Sequence, residues 1–312
     1  MPLADLKLHL QSTDYGGFLQ NETGPLVATT VAAACTKKLV DEFHYMRSQA
    51  VEPLSKFLDY ITYGYMIDNI VLIITGTLHG RDSQELMEKC HPLGIFEAME
   101  TLCTASTPRD LYGVVLVDTP IAPYFLDCLH TEDLNEMNIE IIRNKLYKAY
   151  LEDFYRYCLV TIGGTTGQIM KEILDFEADR RSINITLNSI GTELTRDDRG
   201  KLYPRMGVLH PEGTLKLTQA EDTQAVYSAI EHFGPYRQIV NETAYNQDRS
   251  LENGFYDHEV KLNKLSFEQQ FHYGIFYSYV RLKEQEIRNI VWIAECISQD
   301  QRSKIFQYTP IF

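Results

Sequence analysis

The sequence predicts an all-α protein, and three observations lead there. Apolar residues return every three or four positions over long stretches, as on one face of a helix. Helix-start signals stand where such stretches begin. Strand signals are scarce. In chain order, the first clear helix carries Asp68-Asn69-Ile70-Val71-Leu72. Thr107-Pro108-Arg109-Asp110 offers a cap, a proline at the first helical position and an acid in the first turn. Gly113–Asp118 (GVVLVD) is the best strand candidate, but it is short and has helical neighbours, so a buried helix turn is expected. From Ile139 to Leu159, Ile139, Ile142, Leu146, Ala149/Tyr150 and Phe154 mark one helix face. Thr165-Thr-Gly-Gln168 reads as a capping box after Gly163-Gly164. Asn241–Gly254 (NETAYNQDRSLENG) is the clearest loop-like stretch. Phe255 to Lys304 holds no proline and one glycine, Gly274. Phe267, Phe271, Ile275, Tyr279, Leu282, Ile287, Ile290/Val291, Ala294 and Ile297 continue a stripe there. The part after Gly274 is expected to form a helix of about 30 residues, roughly 45 Å long.

The chain repeats itself. Gly76-Thr77 and Arg81-Asp82 return 115 positions later as Gly191-Thr192 and Arg196-Asp197. His91-Pro92-Leu93-Gly94 returns at 119 as His210-Pro211-Glu212-Gly213, and later matches fall back to 115 and 112. Asn69-Ile70, Asn184-Ile185 and Asn289-Ile290 mark a helix in each of three copies, 115 and 105 residues apart. The third copy has no tail, since the chain ends 23 residues after Asn289. A collinear series with compensating offsets predicts three related helical lobes with a pseudo-threefold arrangement; the period is too long for common solenoids. The expected organisation is a single compact unit over 1–312, with lobes near 1–125, 126–240 and 241–312.

Composition narrows the function. A hydrophobic share of 44% with 23% charged residues is an ordinary globular balance. The net charge of −14 argues against nucleic acid and against docking on anionic lipid headgroups. Six scattered cysteines without a C-x-x-C pair suit reduced, buried thiols. Met1–Leu10 lacks the apolar core of a signal peptide. The most apolar run, Ile70–Ile74, falls well short of the roughly 20 residues of a membrane span. Work at a membrane is therefore expected to go through protein partners.

Each motif that suggests chemistry has a structural rival. Cys90-His91, with Cys103 and Cys128-x-His130 nearby, resembles a metal or thiol–imidazole site, but the second copy keeps His210 and lacks the cysteine. His-Pro-x-Gly reads better as a turn. Gly163–Gly167 lacks the Gly-Lys-Ser/Thr of a P-loop, so a helix start is favoured. Glu177, Asp179, Arg180 and Arg181 are expected to form structural ion pairs, as are Glu286 and Arg288; a neighbouring arginine lowers an acid's pKa, which is wrong for a general acid. No catalytic, cofactor-binding or metal residues are assigned.

Tyr65-Met-Ile-Asp-Asn-Ile70, Lys89-Cys-His-Pro-Leu-Gly94, Leu116-Val-Asp-Thr-Pro-Ile-Ala-Pro-Tyr-Phe125, Phe176-Glu-Ala-Asp-Arg-Arg181, Gln269-Gln-Phe-His-Tyr273 and Leu282–Cys296 carry a family resemblance. So do Asn138–Asn144, Leu146–Glu152 and the Pro-Ile-Phe ending. Together they closely resemble the d subunits of the eukaryotic V-type proton ATPase, from about Leu6 to Phe312. The resemblance implies a funnel of three related lobes, like the C subunits of prokaryotic rotary ATPases. It implies a non-catalytic subunit without cofactor, peripheral on the cytosolic face of vacuolar, lysosomal or endosomal membranes. The implied partners are the proteolipid c-ring, the central-stalk subunits D and F, and the stator subunit a. Members of that family usually carry about forty residues before the segment Leu6–Gly16, and a lobe lacking them is expected to expose an apolar groove and to be less stable. The rival readings are an unrelated helical scaffold and a helical enzyme using the Cys-His or Arg-Asp groups.

Overall fold

The computed structural model describes residues 3–19, 27–97, 99–104, 110, 113, 119–128, 136–245 and 250–311. Among these it is helical, with no strand. The helices are α1 (Leu3–Gln11), α2 (Gly16–Leu19), α3 (Ala28–Gln49), α4 (Leu54–Leu78), α5 (Ser83–Lys89), α6 (Glu136–Arg156), α7 (Gly164–Ser189), α8 (Arg196–Leu202), α9 (Glu212–Gln219), α10 (Thr223–Ile230), α11 (Gly234–Tyr245), α12 (Leu251–Glu268) and α13 (Gly274–Ser298). Short 3-10 turns cover Pro92–Gly94, Met99–Thr104, Ala122–Cys128 and Arg302–Gln307.

The chain divides into two compact units: Met1–Ser55 with Arg249–Phe312, and Lys56–Asp248. In the first, α13 lies along α3 and α12, and α1 and α2 close over them. Leu6, Leu10, Tyr15, Val31, Ala34, Cys35 and Ala294 form its buried cluster, with Ile287, Ile290, Ile293 and Ile297 packed against it. In the second, α6 and α7 pack together and α8 to α10 gather on α7.

The stripe expected on α6 is the buried one: Ile139, Ile142, Leu146, Tyr150 and Phe154 all lie in the core. Against it stands α4, whose 25 residues are long and apolar enough to cross a membrane; half of its most apolar stretch is buried inside the chain. Its apolarity has a packing partner in α6. Tyr60 stacks on Phe154 at 5.0 Å, and Phe57 meets the same ring at 5.4 Å. Tyr63 meets Tyr150 edge-on at 6.4 Å.

Several expectations change. α7 begins at Gly164 behind Gly163 (φ +67°), with no side-chain cap. Thr165 thus lies inside the helix and the capping box does not form. A π-helical turn, Tyr157–Ile162, follows α6, and the two positive-φ glycines Gly163 and Gly164 join it to α7. The polar stretch Asn241–Gly254 holds the end of α11 and the start of α12, where Ser250 caps the Asn253 N–H at 3.2 Å. The stripe expected from Phe267 onward breaks at Gln269–Tyr273. There Phe271 adopts φ +61° and is 98% exposed, so it does not continue the stripe. The Thr107 start signal and the Gly113–Asp118 turn fall almost wholly outside the described residues; Asp110 and Gly113 alone are described, and both are helical.

Candidate functional site

The repeated asparagines sit on helices, and two of them, Asn69 and Asn289, hold a neighbouring segment. Asn69, on α4, is 2% exposed. Its Nδ2 donates to the His91 carbonyl at 2.9 Å, and its Oδ1 accepts the His91 N–H at 2.8 Å. One amide thus satisfies both backbone groups of one residue, which a carboxylate or hydroxyl cannot do in this geometry. Pro92 then opens a 3-10 turn, and the His91 ring stacks on Tyr65 at 4.2 Å. His91 Nδ1 accepts the Leu93 N–H at 3.3 Å. A methyl group added at Gly76 would stand 2.2 Å from Leu86 Cδ2, so Gly76 admits α5 against α4.

Asn289, on α13, repeats the first of these bonds. Its Nδ2 donates to the Thr309 carbonyl at 2.7 Å, and its Oδ1 accepts from Gln285 at 2.8 Å. Thr309-Pro310-Ile311 therefore stands to Asn289 as His91-Pro92-Leu93 stands to Asn69, and Leu93 and Ile311 are both buried. Thr309 lies twenty residues after Asn289, as His91 lies twenty-two after Asn69, with threonine in place of histidine.

The second copy uses a different device. Asn184 is half-buried and its side chain makes no hydrogen bond among the described residues. The loop is held by two carboxylates nearer the start of α7. Asp179, 0% exposed, accepts the Val208 N–H at 2.9 Å, the Leu209 N–H at 3.1 Å and the Tyr236 hydroxyl at 2.7 Å. Asp175 accepts the Gly207 N–H at 3.1 Å. Three consecutive N–H groups point into these oxygens, an anion nest filled by the chain's own acids. Gly207 has φ +102°, and a methyl group there would stand 2.1 Å from Asp179 Oδ1. Burial is the largest influence on Asp179 and pushes its carboxyl up; the Tyr236, Leu209 and Val208 donors pull against it, leaving it at about 7. His210 is exposed beyond the loop, and Gly191 (φ +77°) serves only to turn the chain after α7.

The expected ion pairs divide. Glu177 accepts from Arg180 at 2.7 Å and lies 3.5 Å from Arg181, whose guanidinium covers the Tyr147 ring at 3.4 Å. Asp179 differs from the expectation: its partners are N–H and O–H groups, because its side of α7 faces the loop and α11 while the arginines face away. Glu286 bonds Lys283 at 2.7 Å and the Tyr15 hydroxyl at 2.7 Å, not Arg288. Arg288 is exposed, bonds Gln285 and lies 4.1 Å over the Tyr256 ring.

Sequence reading missed the polar centre of the first unit. Lys38, 4% exposed, contacts Glu42 and lies 2.8 Å from Asp14 and 5.2 Å from the Tyr15 ring centroid. Burial alone would lower its pKa; Asp14 and Glu42 outweigh that and raise it. The i,i+4 spacing of Lys38 and Glu42 was a visible signal, but Asp14 and Glu286 come from distant segments. Cys90 is buried, its thiol donates to Leu86 O at 3.3 Å, and burial pushes it up to about 11. No cluster of three metal-ligating side chains occurs among the described residues.

The sequence profile of the ATP synthase (C/AC39) subunit family matches residues 1–308. The chain belongs to that family. Within it the chain is 60% identical over 311 residues to V-type proton ATPase subunit d of Dictyostelium discoideum, covering 99% of this chain and 87% of that protein. It is 56% identical to V-type proton ATPase subunit d1 of Arabidopsis thaliana, covering 97% and 86%. It is 47% identical to V-type proton ATPase subunit d of Saccharomyces cerevisiae, covering 99% and 89%. These matches run along nearly the whole chain, across both asparagine clamps and the aspartate nest.

Proposed function

We propose that this chain is a non-catalytic subunit of a V-type proton-transporting ATPase, joining the central stalk to the proteolipid ring. One observation carries the reading: 60% identity to a V-type proton ATPase subunit d across 99% of the chain. In this reading ATP hydrolysis turns the stalk subunits D and F, and the chain passes that rotation to the c-ring. It meets the stator subunit a and sits peripherally on the cytosolic face of vacuolar, lysosomal or endosomal membranes. The three lobes, near 1–125, 126–240 and 241–312 around a pseudo-threefold funnel, are part of the same proposal. The shared clamp of Asn69 and Asn289 supports kinship of the first and third.

Torque transmission requires a body that does not yield. Packed helices supply it, because close-packed interiors are hardly compressible. The loops that carry the repeat signatures are fastened to helices through buried polar groups, which keeps the weakest segments in register. Buried thiols held in the protonated form argue against nucleophilic chemistry at Cys90 or Cys158.

The test is a tagged pull-down from detergent-solubilised membranes. The expected result is recovery of the proteolipid ring with about one copy of this chain per ring. Recovery of the chain without ring, stalk or stator subunits would reject the rotor reading in favour of a generic scaffold.

A further inference from the structure

We infer that Asp179 is a proton-operated latch on the loop Met206–His210: ionised it holds the loop shut, and protonated it lets the Val208 end go. The geometry carries this. Asp179 is wholly buried, yet among the described residues its partners are one side-chain hydroxyl and two backbone N–H groups, with no cation. The groups that face it can be named from each neighbouring element. From α7 comes Asp175, one turn away, with Lys171 bonded to its far oxygen. From α11 comes Tyr236, and the loop itself offers only backbone N–H groups at Val208 and Leu209. Tyr155 of α6 lies near Asp175 and Lys171 rather than Asp179. Among the described residues, the cation of this cluster, Lys171, is bonded to Asp175. Of two neighbouring carboxylates, the proton goes to the one without a cation.

The site of protonation follows from the bonds. Oδ1 serves the Leu209 N–H alone, and Leu209 is 0% exposed, so a lost acceptor there would leave a buried donor stranded. Oδ2 serves both the Tyr236 hydroxyl and the Val208 N–H, and Val208 is 50% exposed. A proton arriving from solvent therefore settles on Oδ2. The new O–H and the Tyr236 hydroxyl share one hydrogen bond, and the Val208 N–H turns to water. The carboxyl lies near 7 because burial raises it more than its three donors lower it, so the change falls within the range cells experience. On a pump that draws protons from the solution bathing this subunit, the loop would respond to that solution's pH; this extension rests on the proposed function, whereas the latch does not.

Hydrogen exchange of the purified chain tests it, followed from pH 5.5 to 8.5 with intrinsic rates divided out. Protection at Val208 is expected to fall roughly tenfold as pH drops through about 7, the worth of one charge-assisted hydrogen bond. In Tyr236→Phe, which removes a donor that favours the carboxylate, the midpoint moves to higher pH. In Asp179→Asn the Val208 amide is weakly protected at every pH. Flat protection in the wild type, or an unmoved midpoint in Tyr236→Phe, would overturn the latch. So would an equal loss of protection in α6, since that marks general loosening. Because the assay uses the isolated chain, its failure is distinct from a failure to bind the ring.

Discussion

At the scale of single residues, Asn69 shows what the repeat signature is for. Its amide both gives and takes a hydrogen bond at His91, from a side chain that is itself buried. Asn69→Ala removes both bonds and leaves the His91 N–H without its acceptor, while the His91 carbonyl keeps the Gly94 N–H at 2.9 Å; the cost is on the order of 1–3 kcal/mol. Urea denaturation measures it; a loss below about 0.5 kcal/mol would mean that the clamp is incidental. The sequence displayed Asn69, Asn184 and Asn289 as equivalents, and in the first and third copies a proline-bearing segment does hang on the asparagine. It could not display that the Gly207–Leu209 loop hangs on Asp175 and Asp179 rather than on Asn184. That exchange depends on which face of α7 meets the loop, and on a positive-φ glycine at Gly207 that has no counterpart in the first copy's motif. Arg288 misled for the same reason: charged neighbours along one helix do not show which tyrosine or carboxylate a folded partner brings.

At the scale of elements, the N-terminal segment is held by charge as well as by apolar packing. Lys38 on α3 reaches Asp14 in the α1–α2 turn, and Lys283 on α13 reaches the same carboxylate at 3.3 Å. Tyr15, beside Asp14, ends on Glu286. Lys38→Met keeps the aliphatic stem but leaves Glu42 without its ammonium partner and Asp14 with Lys283 alone. Breaking one side of a buried pair costs about 3–5 kcal/mol, reduced here because Asp14 is largely exposed to solvent. The loss should concentrate where the network anchors the chain, so limited proteolysis is expected to cut near α1–α2 several-fold faster, with α6 and α7 intact. Uniform cleavage throughout, or none, would contradict a local anchor. Element prediction from the sequence succeeded where the period was unbroken, as in α6, because a regular stripe needs no knowledge of its partner. It failed at Gly163-Gly164 and at Phe271, where positive backbone angles redirected the chain without disturbing composition.

At the scale of the whole molecule, two aspartates contribute to the pH dependence of stability in opposite senses. Burial pushes Asp153 up, but the Tyr124, Arg156 and Tyr60 donors more than offset it and hold its carboxyl below the usual range. A depressed acid stabilises the fold above its unfolded pKa, and that contribution disappears as pH falls toward the folded value. Asp179 is the reverse case. Its folded value near 7 exceeds the roughly 3.9 of an unfolded aspartate, so the folded chain binds a proton that the unfolded chain does not. Its contribution is full below about pH 4 and is lost as pH rises through 7, on the order of a few kcal/mol. The proton relieves the burial of charge while giving up one loop bond, so global stability and loop order move in opposite directions on acidification. Subtracting the Asp179→Asn stability from that of the wild type isolates this residue. The difference is expected to shrink steadily from pH 4.5 to 7.5 and to level above 8. The same subtraction with Asp153→Asn should stay level at neutral pH and vanish only in acid. A difference for Asp179→Asn that is level throughout would show its carboxyl ionised across the range, with the three donors of the nest outweighing its burial.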